Sequence, residues 1–112
     1  MSLAQAFAAL FSAIEILASM DADLSHRLCV VHRRCLQPLD TTAVEPEATR
    51  ARIETLRETL ARHDPEGAAG AIATRGSQLE GLDSPAMEDL AREIVALYMD
   101  LLLGGRRNGS GA

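Results

Sequence analysis

The sequence predicts an all-α fold, an antiparallel bundle of four or five helices. Three observations lead there. Apolar residues recur at steps of three and four along most of the chain, and no stretch alternates apolar and polar residues with the period of two that a strand requires. The four prolines, Pro38, Pro46, Pro65 and Pro85, stand at the edges of the periodic stretches, where they end one helix or open the next. At 112 residues there is room for one domain, read as 1–104, followed by a flexible tail over 105–112.

The first periodic stretch opens on Ser2 and Gln5, which have the spacing of a capping box. Its apolar positions run Leu3, Phe7, Leu10, Ile14, Leu17, then Leu24, Leu28, Val31 and Cys35, with Asp21 as the polar interruption. Either one helix continues to Gln37, or two helices meet near Met20–Asp23 with an aspartate as cap. The retained phase favours the single helix. Apart from a narrow stripe of Gln5, Ser12, Glu15 and Ser19, the first half is apolar all round, so it has neighbours on several sides.

A loop bounded by Pro38 and Pro46 follows. The next helix starts at Pro46 or Glu47 and ends near His63, with Ile53, Leu56, Leu60 and His63 on one face. Arg50–Glu54, Glu54–Arg57 and Glu58–Arg62 are spaced as surface ion pairs. Asp64-Pro65-Glu66 has the cap, proline and acid of a helix start, which predicts a small-residue helix from Gly67 to about Leu79. Ser84-Pro85 opens the last helix by the same logic. Its stripe is Met87, Leu90, Ile94, Leu97 and Leu101, widened by Ala91, Val95, Tyr98 and Leu102, and Gly104 closes it.

Charge and composition narrow the function. The net charge is −5, from 16 acids against 11 bases, and all the bases are arginine. Phosphate binding depends on neutralising positive charge, so direct nucleic-acid contact is not expected. The run from Leu3 to Ala18 is shorter than the ~20 apolar residues of a membrane span, and no basic residue precedes it as in an export signal. Cys29 and Cys35 are too few for a disulfide scaffold and, on one helix, about 9 Å apart along its axis. Reduced thiols and a cytoplasmic location follow.

His26-x-x-Cys29-x-x-His32-x-x-Cys35 has the residue types of a zinc or copper site. Steps of three slip about 60° each around a helix, so four such ligands cannot close on one ion. Cys35 then belongs to the core seam, Cys29 near it, and the histidines to the flanks. No metal and no cofactor are expected. His32-Arg33-Arg34 with Arg27 is either an anion contact or a solvated helix face, the second being the commoner use of such a cluster. His63 beside Asp64 lacks a nucleophile in sequence, and the paired acids Glu45/Glu47 and Glu88/Asp89 sit in first turns. Gly67-x-x-Gly70 lacks the lysine of a phosphate loop.

From Leu56 to Ile72, an apolar helix, an Asp64-Pro65-Glu66 turn and an alanine-rich run resemble the closing hairpin of the FadR-type C-terminal domain of GntR-family bacterial transcription regulators. Leu3-Ala4-Gln5-Ala6-Phe7 is similar to the start of that domain's middle helices. The resemblance implies a non-enzymatic regulatory domain, dimerising and binding a small-molecule effector, without the winged-helix half. The family's metal-binding histidines fall on Ile53 and Arg75, and Ala22 stands four before His26, so the metal site does not carry over. His26, His32 and Arg75 are left as candidates to contact an effector. A stand-alone protein-interaction bundle is the alternative, and a metal or haem bundle around His26, Cys29 and His32 is a third reading. In either case Leu3, Phe7, Leu10, Phe11, Ile14 and Leu17 carry more apolar surface than short alanine-rich helices cover, which predicts a homodimer through the first helix.

Overall fold

The computed structural model describes residues 3–42 and 44–109. The expected Ser2 cap and the last three residues of the tail lie outside them. The described residues are all-helical, with no strand: α1 (Leu3–Ser19), α2 (Leu24–Val31), a π-helical turn (His32–Leu36), α3 (Glu47–Arg62), a single turn α4 (Pro65–Ala68) and α5 (Ser84–Gly109).

The first stretch is two helices, not one. Asp23 adopts an extended backbone and its carboxylate accepts the His26 N–H at 3.0 Å, an N-cap that starts α2 afresh. Arg27 reaches back across the break, donating to Leu17 O at 2.5 Å and Ala22 O at 2.9 Å. These carbonyls belong to the end of α1 and the corner beyond it, where no intrahelical donor is left. Register is kept through the corner because Leu28 and Val31 enter the same core as Leu10.

The buried centre of α1 is Ala6, Leu10 and Ala13, with Phe7, Ile14 and Leu17 half-buried around it. Two small side chains at the centre let α1 lie close to its neighbours, α2 and α5. Leu17 lines one groove with Ala91 and Val95 of α5, whereas Phe7 and Phe11 meet Tyr98, so the two helices run antiparallel. Ile53, Leu56 and Leu60 bury the expected face of α3, with His63 only half-buried at its C-cap, and Ile94, Leu97 and Leu101 bury that of α5, with Met87 and Leu90 half-buried.

The expected ion pairs along α3 do not form among the described residues. Arg50 pairs with Glu47 instead, and Arg52, Glu54 and Arg57 serve tertiary contacts. Glu54 accepts from Thr41 Oγ1 at 2.7 Å, and Arg57 donates to Leu36 O and Leu39 O, closing the loop before α3. Arg52 pairs with both Glu93 and Asp100, joining α3 to α5.

The helix expected over Gly67–Leu79 ends after one turn. Gly70 takes a φ of +101°, and the N–H groups of Gly70 and Ala71 bond back to Gly67 O and Glu66 O, the pairing of a Schellman stop. Small residues offer no buried area to offset the cost of internal glycine, so the stop wins. Asp83, one residue before the expected Ser84, caps α5 through the Ala86 N–H at 2.9 Å. At the other end α5 passes Gly104 and continues to Gly109, into the stretch read as a tail. At about 1.5 Å per residue this helix spans much of the molecule's 47 Å long axis.

Candidate functional site

Two polar assemblies stand out, one closed and one open. The closed one is built on the π-helical turn. The Gln37 N–H bonds to His32 O at 2.9 Å, one residue further than an α-helix would reach. The turn carries His32, Cys35 and Leu36 inward together. His32 is thus wholly buried rather than on a flank, and its Nδ1 donates to Asp64 Oδ2 at 2.7 Å. Arg33 grips the same carboxylate with two bonds, Nε to Oδ2 at 3.0 Å and Nη2 to Oδ1 at 2.6 Å. The Gly67 N–H adds a fourth contact to Asp64.

The electrostatics follow from that crowding of donors. Burial alone would raise the Asp64 carboxyl, but the Arg33 and His32 hydrogen bonds outweigh it and lower the group to about 2. Burial, reinforced by the Asp64 charge, pushes the neighbouring Cys29 thiol up to about 11. A thiol held protonated is a poor nucleophile. A Cβ at position 67 would stand 2.1 Å from Asp64 Oδ2, so the close approach of α4 requires glycine there. Three of the four members of the basic cluster are therefore engaged within the fold rather than solvated. Arg33 is locked onto Asp64, Arg27 closes the α1–α2 corner, and Arg34 is exposed beside a groove along the α1 polar stripe that Ser12 and Cys35 also line.

The open assembly lies at the α1–α2 corner. A cavity of about 450 Å³ is lined by Met20, Asp21, Asp23, His26, Arg75 and Gln78. The two Asp23 oxygens are taken by the His26 N–H and the Gln78 amide, and His26 Nδ1 donates to Ser77 O at 2.6 Å. The Arg75 guanidinium and the Asp21 carboxylate form no hydrogen bond or ion pair among the described residues. Of the three residues expected to meet an effector, His26 and Arg75 come together here; His32 does not. Among the described residues no three His, Cys, Asp or Glu side chains converge as a metal site. Both cysteines are free and buried.

The expected dimer face divides. Leu10 has no exposed surface, so it cannot meet a partner, while Phe7, Ile14 and Leu17 pack against the protomer's own core. α5 supplies the cover that composition did not reveal. Leu3 and Phe11 stay more than two-fifths exposed. They are joined by Val95, Met99 and Leu102 of α5, spaced i, i+4 and i+7 on one side of that helix. Tyr98 links the two sets, its ring centroid 6.1 Å from that of Phe11. The sequence signal for this band was the width of the α5 stripe, which exceeds what one buried face uses.

Comparison with protein-family models, with curated proteins and with solved structures gives no match for this chain.

Proposed function

We propose that this chain is a non-enzymatic regulatory domain: the effector-binding and dimerising part of a cytoplasmic bacterial transcription regulator, with DNA contact left to another module. One observation carries the effector half. His26 and Arg75, distant in sequence, meet across a single open cavity with Asp21 and Gln78. It is an open, largely polar depression, so recognition there rests on charge and hydrogen bonding rather than on enclosure. Arg75 offers a planar fork for a carboxylate, and Asp21 an acceptor for a cationic or hydrogen-bond-donating group.

The absence of catalysis is supported by the chemistry of the closed cluster, where the histidine and carboxylate are buried and the thiol is held protonated. The regulator assignment draws on the resemblance of Leu56–Ile72. The competing reading, a stand-alone interaction module, is favoured by the single-turn length of α4, which shortens the second arm of that hairpin, and by the apolar band on α1 and α5. No described helix is long and apolar enough to cross a membrane.

Thermal-shift and calorimetric titration with small carboxylates and amino acids tests the effector half. At least one compound is expected to raise Tm in the native chain, and Arg75→Ala is expected to abolish the effect without changing the unliganded Tm. A compound that binds Arg75→Ala equally well places the effector elsewhere and overturns the assignment of this cavity.

A further inference from the structure

Residues 71–80 form neither helix nor strand, and they lie between the two glycines of positive φ, Gly70 at +101° and Gly81 at +76°. Glycine takes such angles without strain and changes them easily, so each end of the segment is a ready hinge. Within it, the Ser77 N–H bonds to Thr74 O at 3.1 Å and Ser77 Oγ accepts the Thr74 N–H at 2.9 Å. The centre of the segment is thus tied to itself.

Its attachments to the helices are almost all polar. Arg33 Nη1 donates to Ile72 O at 3.0 Å and Ser77 Oγ at 3.2 Å. His26 Nδ1 donates to Ser77 O, Ser25 Oγ accepts the Leu79 N–H at 2.9 Å, and His63 exchanges two bonds with Glu80. Apolar anchorage is slight: Leu79 packs partly on the core, while Ile72 is 81% exposed. Segments held by hydrogen bonds with little buried apolar area open at the low end of the free-energy range, before the core does.

The segment also covers something. His26, Cys29 and Arg33 stand at i, i+3 and i+7 and share one helical stripe. Ser77 is bonded to the first and last of them, so the segment spans the stripe that carries Cys29, which is wholly buried and also lies beside Asp64 and Arg33. We propose that residues 71–80 are a strap that lifts from the bundle as a unit, hinged at Gly70 and Gly81, while the helices stay packed. Its lifting governs access to Cys29 and frees the His26 and Arg33 donors that the strap's carbonyls occupy. Because Arg75 and Gln78 ride on the strap, lifting also dismantles the corner cavity; that consequence alone rests on the effector reading.

Native-state hydrogen exchange on the full chain, with maleimide labelling of Cys29 read by peptide mass, tests the strap. Amides 71–80 are expected to exchange with little dependence on denaturant, and those of Leu28–Val31 and Ile94–Leu97 only with global unfolding. Ser77→Ala is expected to speed Cys29 labelling about tenfold, as loss of one such hydrogen-bonded anchor predicts, with core exchange unchanged. Ser25→Ala cuts an attachment from the helix side and gives the same readout should Ser77→Ala impair folding. Strap and core amides exchanging with one common free energy, or Cys29 labelling only at the rate of core exchange in both variants, overturns the proposal. The outcome does not depend on any ligand, so the strap and the effector cavity stand or fall separately.

Discussion

Removing the Asp64 carboxylate leaves the Arg33 guanidinium buried without its counter-charge, and His32 without its acceptor. Breaking a buried pair in this way costs about 3–5 kcal/mol, a large share of the roughly 5–15 kcal/mol that holds a domain together. Asp64→Ala is therefore expected to be unfolded or close to it at 25 °C. Asp64→Asn separates charge from shape. The native carboxyl sits near 2, below its ordinary value of about 3.9, so it stabilises the fold at every pH above that ordinary value. That contribution, about 2–3 kcal/mol, is lost as pH falls from about 4 to about 2. Urea unfolding as a function of pH should show this acid limb in the native chain and its flattening in Asp64→Asn. An unchanged limb in the variant means that other carboxylates set the acid stability.

At the scale of elements, the corner between α1 and α2 shows how a local cap overrides a periodic pattern. The apolar phase resumes in register after Asp21, yet Asp23 takes the His26 N–H in the first turn of α2 and Arg27 ties the carbonyls behind it. Asp23→Ala is expected to cost about 1 kcal/mol, the usual worth of an N-cap, and lower Tm by several degrees. Circular dichroism with thermal melts measures it. A variant as stable as the native chain shows that Arg27 and tertiary packing hold the corner without the cap. The loss also touches the strap, because Asp23 accepts from Gln78. Exchange of amides 71–80 should therefore rise in the same variant.

Across the whole molecule, the apolar surface left over lies on α1 and α5 together rather than on α1 alone. Phe11, Val95, Met99 and Leu102, with the edge of Tyr98 between them, form the band through which we propose two copies associate. A stable dimer of standard size needs about 800 Å² per partner, so the flanks of both helices must join in. Phe11→Asp is expected to leave helicity intact and halve the mass seen by light scattering, whereas Leu10→Asp unfolds the protomer because that side chain has no exposed surface. A native mass of one 12.0 kDa chain at micromolar concentration ends the dimer proposal.

Periodicity and punctuation were enough to determine the fold class, the buried faces of α3 and α5, and the helix starts at Glu47, Pro65 and, within one residue, Ser84. These are local quantities, readable within two turns of chain. They could not determine where α1 stops, because a cap and a continuing helix share the same phase. Nor could they foresee that Ala6 and Ala13 sit at the centre of α1 while Phe11 stays outside. Which flank is covered depends on the neighbour, and burial by α5 is a property of two helices some 80 residues apart in sequence. The candidate site was legible only as residue types. His32 joined Asp64 through the extra residue of a π-helical turn, and His26 met Arg75 because Gly70 ended a helix that the pattern had allowed to continue. Both pairings join residues tens of positions apart, and no local spacing records them.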